Sequence, residues 1–297
     1  MTSLAIKVNN FTKSYGTLVA VDDVSFDVHK GEIFGILGPN GAGKTSILEC
    51  LEGLRISDGG TIDILGVNPS KDKGELKKII GVQLQSSGLP PTITVKESMQ
   101  LFSAYHHISP RYDLLKRMNL WDKLDSKFET LSGGQQKRLI ISLAVCHNPQ
   151  ILILDEPTAA LDVESRVSLH QLIMELKDQG TTVLLATHDM AEAEKVADRI
   201  AIILKGKIMV IDTPKNIVAS GSSQTKISVR TEGTSLVGAT DNLVEEYYVF
   251  FTDKPGEKVM ELINLIEEKG DSLIDLRVER PSLEERFLEI TFTGGIR

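Results

Sequence analysis

The sequence has few cysteines and no excess of basic residues. Only two of its 297 residues are cysteines, Cys50 and Cys146, and each stands among apolar neighbours without a partner at metal-ligand spacing. We therefore expect two buried, reduced thiols rather than a disulfide framework or a zinc site. The formal net charge of −8 argues against a general nucleic-acid binder, which normally carries a basic surface.

The sequence also lacks long apolar runs. The longest, such as residues 151–154 and 200–204, are far shorter than the roughly 20 residues that a membrane-spanning helix needs. Residues 1–16 show no charged lead followed by an apolar stretch, so we expect no signal peptide. These features predict no direct membrane insertion, and any connection to a membrane would then go through another subunit.

Short strand-like runs alternate with helical segments through most of the chain, which predicts an α/β fold. Continuous apolar runs predict buried parallel strands at 32–37, 151–154, 182–186 and 199–204. Helices are predicted at 45–54, 135–146, 164–179 and 190–197. Residues 4–11 and 18–28 alternate instead, which predicts an antiparallel hairpin outside the parallel sheet.

Two other regions differ in character. Residues 86–128 predict a helical insert, in which Thr94 and Glu97 match a capping box. Residues 219–224 resemble a linker, and a β-β-α-β-α pattern follows. We therefore predict a main domain over 1–218 and a small α+β domain over 225–297.

Residues 38–45, Gly-Pro-Asn-Gly-Ala-Gly-Lys-Thr, match a P-loop between a predicted strand and a predicted helix. In such a loop, backbone N–H groups and the helix dipole bind phosphate oxygens. Lys44 would neutralise the β- and γ-phosphates of ATP, and the Thr45 hydroxyl would bind Mg²⁺. The alternative is a glycine-rich turn without a ligand. The predicted nucleotide-binding residues of this segment are Gly38, Asn40, Gly41, Ala42, Gly43, Lys44, Thr45 and Ser46.

Two acids, Asp155 and Glu156, follow the apolar run at 151–154. Asp155 is the candidate Mg²⁺ ligand, through water because Mg²⁺ dehydrates reluctantly. Glu156 is placed to orient and deprotonate the attacking water. Alternatively, the two acids only end a strand at the protein surface.

Residues 131–136, Leu-Ser-Gly-Gly-Gln-Gln, resemble the signature motif of ABC ATPases. The other motifs of that family are present in the family's order, and the resemblance covers residues 4–218. Tyr15 matches the aromatic residue that stacks on adenine. Gln85 matches the Q-loop glutamine, which senses Mg²⁺ and the attacking water. His188 matches the switch histidine that contacts the γ-phosphate, although a lone histidine after a strand is often only structural.

The resemblance implies a head-to-tail pair of subunits, with each ATP between the P-loop of one and the signature of the other. Ser132, Gly134, Gln135 and the D-loop residue Asp162 would then contact the partner's nucleotide. The signature also precedes a predicted helix, whose free N–H groups suit an anion, although it could be a simple N-cap. Ala159 stands where the family D-loop usually has serine, which removes one polar contact across the pair.

The resemblance further implies a function. The chain would bind and hydrolyse ATP, pair with a second copy or a homologous ATPase subunit, and drive a separate transmembrane permease from the cytoplasmic face of the membrane. Residues 281–288 resemble the ending of ATPase subunits of bacterial drug-resistance and polysaccharide exporters, but Ser282 and Glu285 would also suit an ordinary capped helix.

Two other functions would require different sequence features. A soluble ABC ATPase of DNA repair or translation would predict coiled-coil insertions, zinc cysteines or two nucleotide domains, and the sequence has none of these. A nucleotide-sensing or immunity subunit would not need a hydrolytic acid, and Glu156 is intact.

The resemblance also implies where the permease docks. Leu89 and part of the face formed by Leu101, Phe102 and Tyr105 would line a groove for a short cytoplasmic helix of the permease. The alternative is that these three residues of the face pack inside the insert.

Overall fold

A computed structural model describes residues 3–84, 88–159, 161–221, 224–240 and 242–294. The chain divides into two compact units, Met1–Pro214 and Lys215–Arg297. The sequence predicted this boundary at residue 218. The division after Pro214 lies four residues before that position, in a helix that spans Pro214–Ala219.

The strands of the first unit are β1 (Leu4–Tyr15), β2 (Leu18–His29), β3 (Ile33–Leu37), β4 (Gly59–Ile64), β5 (Ile80–Gln83), β6 (Ile151–Asp155), β7 (Thr182–Thr187), β8 (Arg199–Leu204) and β9 (Lys207–Asp212). The helices are α1 (Lys44–Leu51), α2 (Lys73–Ile79), α3 (Val95–Tyr105), α4 (Tyr112–Arg117), α5 (Gly133–Val145), α6 (Val163–Asp178), α7 (Met190–Val196) and, at the unit boundary, α8 (Pro214–Ala219). Short 3-10 turns occupy Trp121–Lys123 and Phe128–Thr130.

The main sheet has the strand order β5-β6-β7-β3-β8-β9. Its strands run parallel from β5 to β8, and β9 is antiparallel to β8. Every residue of β3, β6 and β7 is buried, because both faces of the sheet are covered. The prediction of a buried parallel sheet from continuous apolar runs is therefore confirmed.

Alternate residues of these strands enter two hydrophobic cores. One face, which includes Phe34 and Ile153, packs with Leu48 of α1. The other face, which includes Leu152, packs with Leu139 of α5 and other residues of α3 to α6. The predicted hairpin forms a separate antiparallel sheet of order β2-β1-β4.

Several elements escaped the prediction because their local patterns are weak. β4 begins with two glycines, β5 has only four residues, and α2 buries only Leu76. The capping box at the start of α3 was predicted correctly: Thr94 Oγ1 accepts a hydrogen bond from Glu97 N (3.1 Å), and Glu97 Oε2 accepts one from Thr94 N (2.9 Å).

The elements of the second unit that follow α8 are β10 (Thr225–Thr231), β11 (Leu243–Val244), β12 (Tyr247–Thr252), α9 (Pro255–Glu268), β13 (Leu273–Glu279) and α10 (Leu283–Gly294). The strands form an antiparallel sheet of order β11-β12-β10-β13. The core of the unit joins residues of β10 and β12 to Leu262 and Ile266 of α9. The strand β11 was not predicted, because it has only two residues.

Both cysteines are buried and free, as predicted. Burial raises the pKa of each thiol to about 11. In the part of the chain that the structure describes, no helix is both long enough and apolar enough to cross a membrane.

Candidate active site

The strand order brings three connections to one edge of the main sheet. β6, β7 and β3 are adjacent and parallel, so their carboxyl ends lie side by side. In this register Leu37 pairs with Thr187, and Asp155 pairs with Ala186. Ligands of open α/β sheets bind at this edge.

The loop between β3 and α1 approaches its neighbours so closely that two of its positions require glycine. A Cβ atom at Gly38 would lie 2.4 Å from the carbonyl oxygen of Ile203. Gly43 has a φ of +107°, and a Cβ there would lie 2.6 Å from the carbonyl oxygen of Ala20. The two glycines therefore let the loop pack against β8 and β2 while it turns into α1.

The buried side chain of Lys44 folds back over this loop. Its ammonium donates to the carbonyl oxygens of Gly38 (2.7 Å) and Pro39 (3.3 Å). The same nitrogen lies 3.8 Å from Oε1 of Glu156. Burial lowers the pKa of Lys44, and the charges of Glu156 and Asp155 oppose that shift. A cation held by loop carbonyls in this way can move to an incoming phosphate without leaving the site.

The two predicted acids are buried at the end of β6. The hydroxyl of Thr45 lies 3.4 Å from Oδ2 of Asp155. Burial raises the pKa of Asp155, and the neighbouring charge of Glu156 adds to this. Glu156 has a positive φ of 50°, and its N–H donates to the carbonyl oxygen of Ala186 (2.9 Å). The strained turn thus directs two oxygen-bearing side chains toward the P-loop.

The carboxylate of Glu156 lies between a lysine and a histidine. One oxygen faces Lys44, as described, and Nδ1 of His188 lies 2.7 Å from the other oxygen. The His188 side chain is 58% exposed, whereas that of Glu156 is almost fully buried. His188 therefore connects the buried acid to the solvent-facing side of the site.

Sequence reasoning missed Lys137, in the second turn of α5. Its ammonium contacts the carbonyl oxygen of Glu156 and lies 3.4 Å from that of Ala159. Burial lowers the pKa of Lys137, and the charges of Glu156, Glu192 and Asp155 oppose the shift. Nothing in the local sequence separates this lysine from a solvated one, because its partners are backbone atoms about 20 residues away.

A pocket of about 460 Å³ opens over the P-loop. Tyr15 forms part of its wall and donates a hydrogen bond to Ser46 Oγ (3.2 Å). Lys13 Nζ and Arg55 Cζ lie 5.5 and 5.3 Å from the centre of the Tyr15 ring. The lining residues are Tyr15, Leu18, Ala20, Asn40, Gly41, Ala42, Gly43, Lys44, Thr45, Ser46 and Glu156. Leu18 and Ala20 were not predicted.

The signature residues do not belong to this lining. Ser132 is exposed and caps α5, where its Oγ accepts from Gln135 N (3.3 Å) and Gln135 Oε1 accepts from Ser132 N (2.9 Å). Asp162 caps α6 by accepting from Ser165 N (2.7 Å). Gln85 of the predicted Q-loop and Ala160 of the predicted D-loop lie outside the described residues.

Comparisons with known proteins agree with this geometry. The family model of ABC transporters matches residues 21–159. The chain is 31% identical to the linearmycin resistance ATP-binding protein LnrL of Bacillus subtilis (strain 168), over 96% of this chain and 98% of that protein. It is 34% identical to the Nod factor export ATP-binding protein I of Sinorhizobium fredii (strain NBRC 101917 / NGR234), over 97% of this chain and 86% of that protein.

Solved structures show the same fold. One ATP-binding subunit of an ABC transporter superposes with a TM-score of 0.68 at 26% identity, over 72% of this chain and 92% of that one. A dimeric ATP-binding cassette in a post-hydrolysis state, bound to ADP and Pi, gives a TM-score of 0.65 at 29% identity, over 70% of this chain and 98% of that one.

The fold and site define a P-loop ATPase of the cassette type. The chain belongs to the family of ABC transporter ATP-binding proteins. It is an ATP-binding subunit with ATPase activity, and the sequence prediction of both family and fold is confirmed.

Proposed function

We propose that two such chains, or this chain and a homologous ATPase subunit, close around two ATP molecules and thereby drive a separate transmembrane permease. The observation that carries the proposal is that the signature residues lie apart from the pocket over the P-loop. Among the described residues, the pocket over the P-loop includes none of 132–135, whereas Ser132 is exposed at the start of α5. A second anion site that does not serve the chain's own pocket is explained by a neighbour's nucleotide.

Within one chain, the P-loop would hold the phosphates of ATP. Backbone N–H groups at residues 40–45 and the amino end of α1 would bind phosphate oxygens. Lys44 would exchange its two loop carbonyls for the β- and γ-phosphates, because charge-assisted bonds to phosphate are stronger than bonds to neutral carbonyls. Tyr15, at the wall of the same pocket, would stack on adenine.

The chemistry of two side chains fits a magnesium ion. Thr45 and Asp155 present a hydroxyl and a carboxylate oxygen 3.4 Å apart next to the phosphate loop, and Mg²⁺ prefers oxygen ligands. Burial disfavours the charged form of Asp155, which a divalent cation would restore. When bound, Mg²⁺ would neutralise charge on the phosphates. Gln85 is the further ligand that the family resemblance implies.

Glu156 would act as the general base that takes a proton from the attacking water. A base is effective only if its carboxylate is correctly oriented. The approach of His188 Nδ1 to 2.7 Å and that of Lys44 Nζ to 3.8 Å from the two carboxylate oxygens would supply that orientation. His188, being largely exposed, would in addition contact the γ-phosphate once ATP is in place.

Across the pair, the signature of one chain would complete the site of the other. The positive end of the α5 dipole, with Ser132, Gly134 and Gln135, would bind the partner's γ-phosphate. Asp162 would lie close to the same interface. ATP binding would then draw the two chains together, and hydrolysis would release them.

Export is supported by the relatives. One is named for linearmycin resistance and another for Nod factor export. The chain would lie at the cytoplasmic face of the membrane, attached through the permease.

We infer that the permease docks in a groove lined by Leu89, Phe102 and Tyr105. Leu101, of the same helix, is exposed and outside this lining.

The pairing is tested with hydrolysis blocked. Glu156→Gln should lower steady-state ATP hydrolysis by about 10²- to 10⁴-fold but keep ATP binding, because it removes the base and preserves its shape. Light scattering of this variant with ATP should give twice the mass of one chain. Adding Ser132→Arg should return it to one chain, whereas Ser109→Arg, at another exposed serine, should not. A single-chain mass at every ATP concentration, with and without the permease, would refute pairing.

A further inference from the structure

The docking groove contains an acidic residue that its apolar surroundings do not explain. The groove has a volume of about 360 Å³ and is lined mainly by apolar side chains, including Leu54, Leu89 and Phe102. Glu52 also lines it, although the residue is only 9% exposed. Neither carboxylate oxygen of Glu52 has a hydrogen-bond partner in the part of the chain that the structure describes.

An unpaired buried carboxylate is costly, since transfer of a charge out of water must be offset by a partner. Glu52 stands immediately after α1, as the residue that ends this helix. The carboxyl end of a helix carries a partial negative charge, so α1 repels the anion further and would attract a cation. Burial, with the charges of Asp155 and Glu49, raises the pKa of Glu52 to about 8, so without a partner the carboxyl group is mostly protonated near pH 7, and a bound cation would favour its charged form.

The other ionisable side chains described in the lining of the groove do not supply Glu52 with a cationic partner. His147 is stacked on His106 with ring centres 3.8 Å apart. Burial lowers the pKa of both, that of His147 to about 4, so both are neutral near pH 7. The ammonium of Lys77 lies 6.0 Å from the centre of the Tyr105 ring. Among the described residues, neither Lys77 nor any other cation pairs with the Glu52 carboxylate.

We infer that Glu52 binds a guanidinium or ammonium group on the permease segment that docks in this groove. The inference rests on the proposed function and adds the chemistry of the partner. The segment would place apolar side chains against Leu54, Leu89 and Phe102, and one arginine or lysine would reach past them to the buried carboxylate. A charge-assisted bond in a dry groove is highly selective, because an uncharged segment would leave Glu52 without a partner.

The test begins by finding the segment. The full chain with p-benzoyl-phenylalanine in place of Leu54, which lines the groove and is 58% exposed, is irradiated in native membranes. The cross-linked permease peptide is then sequenced and synthesised as the probe. It should contain an arginine or lysine within an apolar helical pattern.

Binding of this synthetic peptide to the full chain is then measured by calorimetry. Glu52→Gln should weaken binding at least about 30-fold, because it removes one partner of a desolvated charge pair. Replacement of the peptide's arginine by citrulline, or of its lysine by norleucine, should weaken binding to the parent chain but have little further effect on Glu52→Gln. Glu49→Gln, the same change in α1 outside the groove lining, should change affinity by less than about fivefold.

Two controls keep the results distinct. Basal ATPase activity and thermal unfolding of Glu52→Gln are measured in parallel, and Glu52→Met repeats the test with an apolar side chain of similar volume. A cross-linked segment without a basic residue, or equal affinity of the parent and Glu52→Gln, would overturn the inference and leave the groove as the docking site. Absence of any cross-link to a membrane protein would overturn the docking site, and the inference with it.

Discussion

Nδ1 of His188 lies 2.7 Å from Oε2 of Glu156, although the helix α6 and the strand β7 lie between the two residues in the chain. Glu156 follows β6 and His188 follows β7, and these parallel strands are paired with Asp155 beside Ala186. The pairing places the histidine against the acid that is proposed to activate water.

Replacing His188 should therefore lower turnover at saturating ATP. Removing the polar partner of a buried group costs about 1–3 kcal/mol, so His188→Ala should reduce kcat by roughly fivefold to a hundredfold. His188→Asn, which keeps a donor, should recover part of that loss. Steady-state kinetics and ATP binding by calorimetry separate the two effects. Loss of ATP affinity with an unchanged kcat would mean that His188 serves binding rather than the orientation of Glu156.

Lys137 is expected to hold the turn that carries Glu156. Its ammonium contacts the carbonyl oxygen of Glu156, whose backbone is in the left-handed region, and lies near that of Ala159. Lys137→Met should leave these carbonyls without their donor and lower kcat, with a loss of about 1–3 kcal/mol of stability.

Lys137→Arg retains donors and should restore most of the activity. Lys127→Met, at an exposed lysine that precedes the signature, is the matched control and should behave as the parent does. ATPase assays at saturating ATP and thermal unfolding are the two measurements. Equal kcat for Lys137→Met and the parent would show that the turn holds without this lysine.

The close approach of the P-loop to β2 gives a prediction for Gly43. Gly43→Ala combines a positive φ with a Cβ only 2.6 Å from the carbonyl oxygen of Ala20, so it should cost about 2–4 kcal/mol and weaken ATP binding. Gly31→Ala has a φ of +73° but open space around its Cβ, and it should cost only about 1 kcal/mol. Thermal unfolding and nucleotide titration of both variants separate the effect of the close Cβ contact at Gly43 from the effect of a positive φ, which both positions share. Similar losses in the two variants would argue against a tight loop.

Glu52 should make the stability of the first unit depend on pH. Its pKa rises from an ordinary value of 4.5 to about 8 on folding, so the unfolded chain releases this proton at a lower pH than the folded chain does. The contribution of Glu52 to the free energy of unfolding is therefore complete below pH 4.5 and is lost as the pH rises to about 8.

Glu52→Gln lacks this dependence. Its unfolding midpoint, relative to that of the parent, should rise between about pH 5 and about pH 9, by a free energy on the order of a few kcal/mol. Glu52→Met should show the same trend. A difference between parent and variant that stays constant across this range would contradict the shifted titration of Glu52.

The local sequence was sufficient to predict the P-loop as a motif. Gly38, Gly43 and Lys44 lie within one short segment between a continuous apolar run and a helix, and at the two glycines a Cβ would meet a neighbouring carbonyl oxygen. The buried strands were predictable for the same reason, because every residue of β3, β6 and β7 is covered on both faces. Shorter elements such as β5 were not, because four residues carry too little pattern.

Only the tertiary structure decided which of these residues meet. The contact of His188 with Glu156 depends on strand order, and that of Lys137 with the Glu156 carbonyl depends on how α5 packs beside β6. Glu52 looks in sequence like any acid at the end of a helix, and it becomes a buried, unpaired group only because α1 ends inside an apolar groove. Periodicity and motif act over a few residues, whereas these contacts join segments far apart in the chain, whose arrangement is set by packing of the whole unit.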